Sequence, residues 1–172
     1  APTFSPVIDH DGALDPPAGS TSRRVAVIAQ SGGVGFSFLD QGRPKGLAFS
    51  HVVTTGNEAC VETFDLVEWM VDADEADVFI LFLENVKTAE TFRRAAAKAL
   101  AAGKPIIVVK VGQSEAGRRA ALSHTAALAG ADGAYRAMFA HYGLIPAETP
   151  SQAVDLAAGF AFMGDFSPTG TA

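Results

Sequence analysis

The sequence contains a single cysteine, Cys60, and this scarcity limits the chemistry of the chain. One cysteine excludes an internal disulfide framework and fits a reducing compartment, so we expect a cytoplasmic protein. A free cysteine more often behaves as a small buried hydrophobe than as a reactive group. We therefore expect Cys60 to be buried or half-buried.

Long apolar runs and an excess of positive charge are missing as well. No apolar stretch approaches the roughly 20 residues that a membrane helix needs, and no basic segment followed by an apolar one marks a signal peptide. The 19 acidic residues outnumber the 13 lysines and arginines, which gives a net charge of −6. This charge argues against a nucleic-acid or anionic-membrane surface, so any phosphate must be held by local donors.

Several motifs with a known chemistry are also absent. The turn at 30–35 (QSGGVG) has no Gly-Lys-Ser/Thr after it, and it lacks the third glycine of a dinucleotide fingerprint. The chain has no Gly-x-Ser-x-Gly elbow. Its acidic stretch at 72–77 lacks calcium-loop spacing, and its four histidines lack metal-ligand spacing.

The sequence does contain a regular alternation of strand and helix patterns. Apolar runs predict five strands, at 24–29, 49–54, 77–83, 105–111 and 144–146. Helices are predicted at 32–41, 59–71, 87–102, 131–142 and 150–163. This alternation predicts an α/β fold, a three-layer doubly wound parallel five-stranded sheet with the flavodoxin-like order 2-1-3-4-5.

The same patterns divide the chain into a domain and two flanking segments. Residues 23–163 are predicted to form one domain. Residues 1–22 and 164–172 are rich in Pro, Gly, Ser and Thr, and we interpret them as a linker and as a tail or linker to a further domain.

Small residues surround one histidine and one turn at the carboxyl edge of the predicted sheet. His124 lies in the loop 123–130 (SHTAALAG), and Ser31-Gly32-Gly33 opens the first helix. A helix N-terminus offers free N–H groups and the positive end of the helix dipole to an anion. We therefore predict a phosphohistidine site, with Glu84 orienting the imidazole from the end of the third strand.

Further phosphate contacts are expected around this pair. Ser123 and Thr125 flank the histidine, and Asn57 and Lys110 follow or end neighbouring strands. Asn57 or Glu58 is a candidate cap for the next helix. No metal ligands are predicted in the domain.

Four segments in this order resemble a known family: QSGGVGFSFLDQG, VVTTGNEA, FILFLEN and KVGQSEAGRRAALSHTAALAG. They are similar to the phosphohistidine domain of the NDP-forming acyl-CoA synthetases, which include ADP-forming acetyl-CoA synthetase and, more distantly, the alpha subunit of succinyl-CoA synthetase. The resemblance covers residues 22–163. It implies that His124 is transiently phosphorylated, that Glu84 hydrogen-bonds it, and that Ser31, Gly32 and Gly33 open the phosphate-binding helix.

The resemblance also implies a reaction and a set of partners. The family converts acyl-CoA, phosphate and ADP or GDP into the acid, CoA and ATP or GTP. Mg-ATP or Mg-ADP, phosphate and CoA serve the full enzyme, and no cofactor is expected to bind tightly in this domain. A CoA-binding domain and an ATP-grasp domain or subunit are the implied partners, with a small carboxylic acid or acyl-CoA as substrate.

The chain departs from the family pattern in two respects. Ala126 stands where the family usually has glycine, which restricts the backbone of the histidine loop. The CoA-binding and ATP-grasp domains are not within these 172 residues, so we expect the fragment alone to be inactive. Apolar surface left by absent domains makes homo-oligomers an expected possibility.

Two other functions remain open at this stage. The parent protein could be a non-catalytic homologue in which this domain is a regulatory or assembly module, although a scaffold needs neither His124 nor Glu84. A flavodoxin-like flavin binder is a third interpretation. Flavin binding favours a loop rich in Ser and Thr with aromatic residues beside the ring, and the first loop here has no aromatic residue before Phe36.

Overall fold

The computed structural model describes residues 18–111 and 131–163. Its strands are β1 (Arg24–Ala29), β2 (Ala48–Thr54), β3 (Val78–Leu83), β4 (Ile106–Lys110) and β5 (Ile145–Ala147). Its helices are α1 (Gly32–Gly42), α2 (Thr63–Asp72), α3 (Ala89–Ala101), α4 (Ala131–His141) and α5 (Pro150–Phe162), with a 3₁₀ turn at Arg43–Lys45.

The five strands form one parallel sheet in the order β2-β1-β3-β4-β5. The predicted flavodoxin-like architecture and strand order are therefore confirmed. The register pairs Ala29 with Phe82 and Leu83 with Lys110, so the carboxyl ends of the three central strands lie side by side. The chain leaves β1 toward β2 on one side and returns to β3 on the other, which makes the β1–β3 gap the topological switch point.

Helices cover both faces of the sheet because the central strands are apolar on both sides. One core joins alternate strand residues to α2, α3 and α4, and its aromatic centre includes Phe64 and Phe92 in edge-to-face contact at 4.8 Å. The other core joins the remaining strand residues to α1 and α5 through Phe38 and the small residues of α5. Both layers hold the strand ends at fixed positions.

The segment before α2 differs from the sequence prediction. The helix was expected from residue 59 but begins at Thr63, because Glu62 and Asp65 form a capping box that sets its start. Cys60 lies in the irregular stretch before this start and is exposed. The expectation of a buried or half-buried cysteine is therefore wrong.

No helix in the described part of the chain is long and apolar enough to cross a membrane.

Candidate functional site

The candidate site lies where β1 and β3 end, at the switch point of the sheet. The Gln30 N–H donates to the Phe82 carbonyl at 3.0 Å, which continues the β1–β3 pairing one residue beyond the strand. Ligands of open parallel sheets bind in the crevice outside this position. Ser31-Gly32-Gly33 and Glu84 are attached to the two strands that border it.

Ser31, Gly32 and Gly33 form an open N-terminus of α1. Ser31 is extended, its side chain makes no cap hydrogen bond, and the first turn contains no acidic residue. Gly32 and Gly33 are exposed, and a Cβ built on either would meet nothing within 4 Å. Since their backbone angles also do not demand glycine, packing does not explain these two residues. Their lack of side chains leaves the first N–H groups open to an anion.

Glu84 presents an exposed side chain on a tightly held backbone. Its N–H donates to Oε1 of Gln30 at 2.6 Å, and the next N–H, of Asn85, donates to the same oxygen at 3.1 Å. Nε2 of Gln30 in turn donates to the Asn85 carbonyl at 2.9 Å. The Gln30 side chain is buried. Its hydrogen bonds cross the switch point and connect the turn before α1 to the loop that contains Glu84.

Lys110 lies at the end of β4, and its predicted phosphate contact stays a prediction. It is only 7% exposed, and its Nζ donates to the carbonyls of Glu84 at 2.8 Å and Val111 at 2.9 Å. Nζ also lies 4.8 Å from the ring centroid of Tyr135, whose hydroxyl accepts from the Val86 N–H at 3.3 Å. The ammonium group is therefore directed at the Glu84–Val86 backbone rather than into bulk solvent.

The turn after β2 lies at the same edge, on the far side of β1. The Thr55 N–H donates to the Ala29 carbonyl at 2.9 Å. Glu58, at φ 53°, places Oε1 to accept from the Thr55 hydroxyl at 3.0 Å and from the Thr63 N–H at 2.9 Å. Glu58 thus supports the start of α2, whereas Asn57 is exposed within the turn. A phosphate contact by Asn57 stays a prediction.

The predicted nucleophile and its flanking contacts, Ser123, His124 and Thr125, lie outside the described residues. Their roles stay predictions from the sequence. Within residues 18–111 and 131–163, no group of three or more His, Cys, Asp or Glu side chains is arranged to hold a metal ion.

From the sequence, Gln30 was included in the turn at 30–35 but assigned no role, and Tyr135 was not identified at this edge. Gln30 does carry a signal, because it is a polar residue that directly extends an apolar strand into a small-residue turn. Tyr135 has no comparable signal, since its contact with Val86 depends on how α4 packs against the end of β3.

Comparison with known proteins places this geometry in a family. Residues 22–160 match the succinyl-CoA ligase-like flavodoxin domain. The chain is 38% identical over 134 residues to the ADP-forming acetate–CoA ligase I of Archaeoglobus fulgidus, a match that covers 78% of this chain and 19% of that protein. It is also 38% identical to the alpha subunit of the ADP-forming acetate–CoA ligase I of Pyrococcus furiosus, covering 77% of this chain and 29% of the subunit.

A solved structure agrees with these relatives. The dinucleotide-forming acetyl-coenzyme A synthetase 1 of Candidatus Korarchaeum cryptofilum, in complex with phosphate and ADP, superposes with a TM-score of 0.68 and 29% identity. The match covers 85% of this chain and 32% of that one, so the chain spans less than a third of the relatives it matches. The chain belongs to the succinyl-CoA ligase-like flavodoxin domains, which form part of ADP-forming CoA ligases.

Proposed function

We propose that this chain is the phosphoryl-relay domain of an NDP-forming acyl-CoA synthetase. The observation that carries the proposal is the shared edge of β1 and β3. There the uncapped N-terminus of α1 and the exposed carboxylate-bearing loop of Glu84 are joined through Gln30. An anion site beside a carboxylate suits a histidine that accepts and donates a phosphoryl group.

The proposed reaction proceeds in three steps. Phosphate attacks the acyl-CoA thioester, giving an acyl phosphate and releasing CoA. An imidazole nitrogen of His124 then attacks the phosphorus, and the carboxylic acid leaves as its carboxylate. Finally the terminal oxygen of ADP or GDP attacks the phosphohistidine, which forms ATP or GTP and restores the histidine. Dividing the transfer in this way replaces one difficult step with easier ones.

The predicted site residues have proposed roles in the second and third steps. The N–H groups at Ser31-Gly32-Gly33 bind phosphoryl oxygens, and the helix dipole stabilises their charge by up to about 2 kcal/mol when the site is partly buried. Glu84 accepts a hydrogen bond from one imidazole nitrogen, which leaves the other free to attack and stabilises the positive ring. Ser123 and Thr125 are proposed as further phosphate contacts.

The wider assignment rests on the relatives. The Korarchaeum synthetase is described with phosphate and ADP, which are the small molecules that the proposed relay consumes. We propose that Mg-nucleotide and CoA bind on other domains or subunits, of the ATP-grasp and CoA-binding types, and that the protein works in the cytoplasm. The 172-residue chain alone is then a component without full activity.

The experiment that tests this proposal is phosphorylation of the complete protein, with its nucleotide-binding domain or subunit, by Mg-ATP. Intact-mass measurement should show one added phosphoryl group that is lost in acid, as expected for a phosphoramidate. His124→Ala should abolish it. A folded protein with a competent nucleotide partner and no added mass would contradict the relay and favour a regulatory or assembly module.

A further inference from the structure

We infer that Gln30 and Lys110 are positioning residues that fix the peptide backbone of Glu84 for the phosphoryl relay. The inference rests on the proposed function. It assigns a role to two buried polar side chains, Gln30 directly after β1 and Lys110 at the end of β4. These two strands flank β3, and Glu84 directly follows β3.

Both the oxygen and the nitrogen of the Gln30 side-chain amide bind the loop that contains Glu84 and Asn85. Oε1 accepts from two successive N–H groups, and Nε2 donates back to the second of those residues. Gln30 therefore binds three backbone groups, which are the N–H of Glu84 and the N–H and C=O of Asn85. A glutamine is the side chain of this length that offers an acceptor and a donor together, whereas a glutamate would place an acceptor against the Asn85 carbonyl.

Lys110 binds the carbonyl of Glu84, whereas Gln30 binds its N–H. Nζ donates to the Glu84 carbonyl, so both the N–H and the C=O of Glu84 are bound by buried side chains from neighbouring strands. Burying an ammonium group is costly unless it is hydrogen-bonded. Loss of the Lys110 cation would leave the Glu84 and Val111 carbonyls to find other donors.

The physical consequence concerns the exposed carboxylate. The Glu84 side chain has a free rotatable stem, so its direction is set mainly by where its Cα and peptide are held. Fixing both peptide groups limits the positions that the carboxylate can reach before any imidazole arrives. Preorganisation of this kind is how outer contacts support a reacting group.

Two residues elsewhere in the chain provide matched controls. Gln41 also uses its amide at both ends, donating to the Ser37 carbonyl and accepting from the Ser151 hydroxyl, but it lies at the other end of α1. Lys104 also binds a backbone carbonyl, that of Ala76, and it precedes β4 at the opposite edge of the sheet. Neither contacts the Glu84 loop.

The test is a double-mutant comparison in the complete synthetase, with the single-turnover rate of phosphohistidine formation from Mg-ATP as the readout. Gln30→Met and Lys110→Met should each lower that rate by about tenfold or more, the range seen when supporting contacts are lost. Gln41→Met and Lys104→Met should leave it unchanged. In a Glu84→Ala background, Gln30→Met and Lys110→Met should have little further effect, because they act through Glu84.

A purely structural role predicts a different pattern. General destabilisation would lower the rate by the same factor with and without Glu84, and that additivity would overturn the inference. If Gln30→Met fails to fold, Gln30→Glu replaces it: it keeps the acceptor for the two N–H groups, and its rate should lie between wild type and Lys110→Met. Wild-type rates in all folded variants would also overturn the inference.

Amide hydrogen exchange separates failure of this inference from failure of the proposed function. Exchange at Glu84 and Asn85 should accelerate in Gln30→Met and stay slow in Gln41→Met. If exchange accelerates only in Gln30→Met but the wild-type protein forms no phosphohistidine, the relay is wrong, and so is a positioning role in that relay. If phosphohistidine forms, but neither the amide exchange nor the rate of its formation changes in the Gln30 and Lys110 variants, the relay stands and the positioning role is wrong.

Discussion

Gly35 lies so close to Thr54 that a Cβ on the glycine would come within 2.9 Å of the Thr54 Cγ2 and 3.3 Å of the Ala29 Cβ. This contact sets how near α1 approaches the sheet, and hence where the helix N-terminus lies relative to the end of β1. Two glycines only two and three residues earlier have open space instead. Neighbouring glycines in one motif therefore serve different purposes.

Alanine substitutions should separate these purposes. Gly35→Ala should reduce the free energy of unfolding by about 1–3 kcal/mol, because the helix must shift away from the sheet. Gly33→Ala should change that free energy by less than about 1 kcal/mol, since the new methyl group meets no neighbour. Denaturant unfolding measures both. Equal losses in the two variants would contradict the packing described for α1.

The same Gly33→Ala variant should impair the proposed relay while remaining folded. Its methyl group would occupy the space beside the first N–H groups of α1, where the phosphoryl oxygens are proposed to bind. We expect slower phosphohistidine formation from Mg-ATP at unchanged thermal stability. A Gly33→Ala protein that is phosphorylated at the wild-type rate would argue against an anion site at this helix.

The Arg24–Asp77 pair should make stability depend on pH. Arg24 donates to both carboxylate oxygens of Asp77, from Nε at 3.0 Å and Nη2 at 2.9 Å, and its N–H adds a third bond at 2.9 Å. Burial raises the pKa of Asp77, but these hydrogen bonds and the arginine charge lower it by more, so the pKa of Asp77 lies below its usual value.

A depressed pKa fixes the sign of the effect. The stabilisation is fully present above the unfolded-state pKa of about 3.9 and is lost as the pH falls through the folded-state pKa. Asp77→Asn should cost about 1.5 kcal/mol at neutral pH, the lower end for hydrogen bonds to charged groups. The difference between the two proteins in unfolding free energy should shrink below about pH 4. If the unfolding free energies of the wild type and Asp77→Asn differ by the same amount at every pH down to acid unfolding, this account is refuted.

Cys60 should react in the folded protein. Its exposure before α2 predicts that a thiol reagent modifies one equivalent at a rate close to that of the unfolded chain. Cys60→Ser provides the blank. Modification that requires denaturant would show that the segment before α2 is covered.

Glu84→Gln tests the proposed orienting carboxylate. The substitution keeps the size of the side chain and removes its charge, so the fold and the backbone contacts of the loop should persist. Phosphohistidine formation should slow by about a hundredfold or more, as expected when a nucleophile's imidazole loses its acidic partner. Glu90→Gln, an exposed glutamate on α3, is the control and should have no effect.

The periodicity of the sequence was sufficient to predict the sheet but not its edge contacts. Short apolar runs such as 78–83 indicate buried strands, and their alternation with helices leaves few topologies. The start of α2 was misplaced because Glu62, not a residue near 59, supplies the cap. The exposure of Cys60 follows from that shift.

The contacts of Gln30 and Lys110 could not be predicted from local pattern. Each depends on which strand ends are adjacent and on how far a long side chain reaches, and both follow only from the three-dimensional register. Lys110 was predicted as a phosphate contact; the structure shows that it is buried and that its Nζ donates to the Glu84 carbonyl, and the phosphate contact stays a prediction. His124 stays a prediction from the sequence.

The measurement that tests the relay most directly is a chase of the isolated phosphoprotein. The complete protein is phosphorylated with Mg-ATP, freed of nucleotide, and divided between Mg-ADP alone and CoA with a carboxylic acid. The account predicts that both additions discharge the same acid-labile phosphate, giving ATP in one case and acyl-CoA with phosphate in the other, and that His124→Ala carries nothing to discharge. A phosphate that persists through both additions, or that forms without His124, would contradict it.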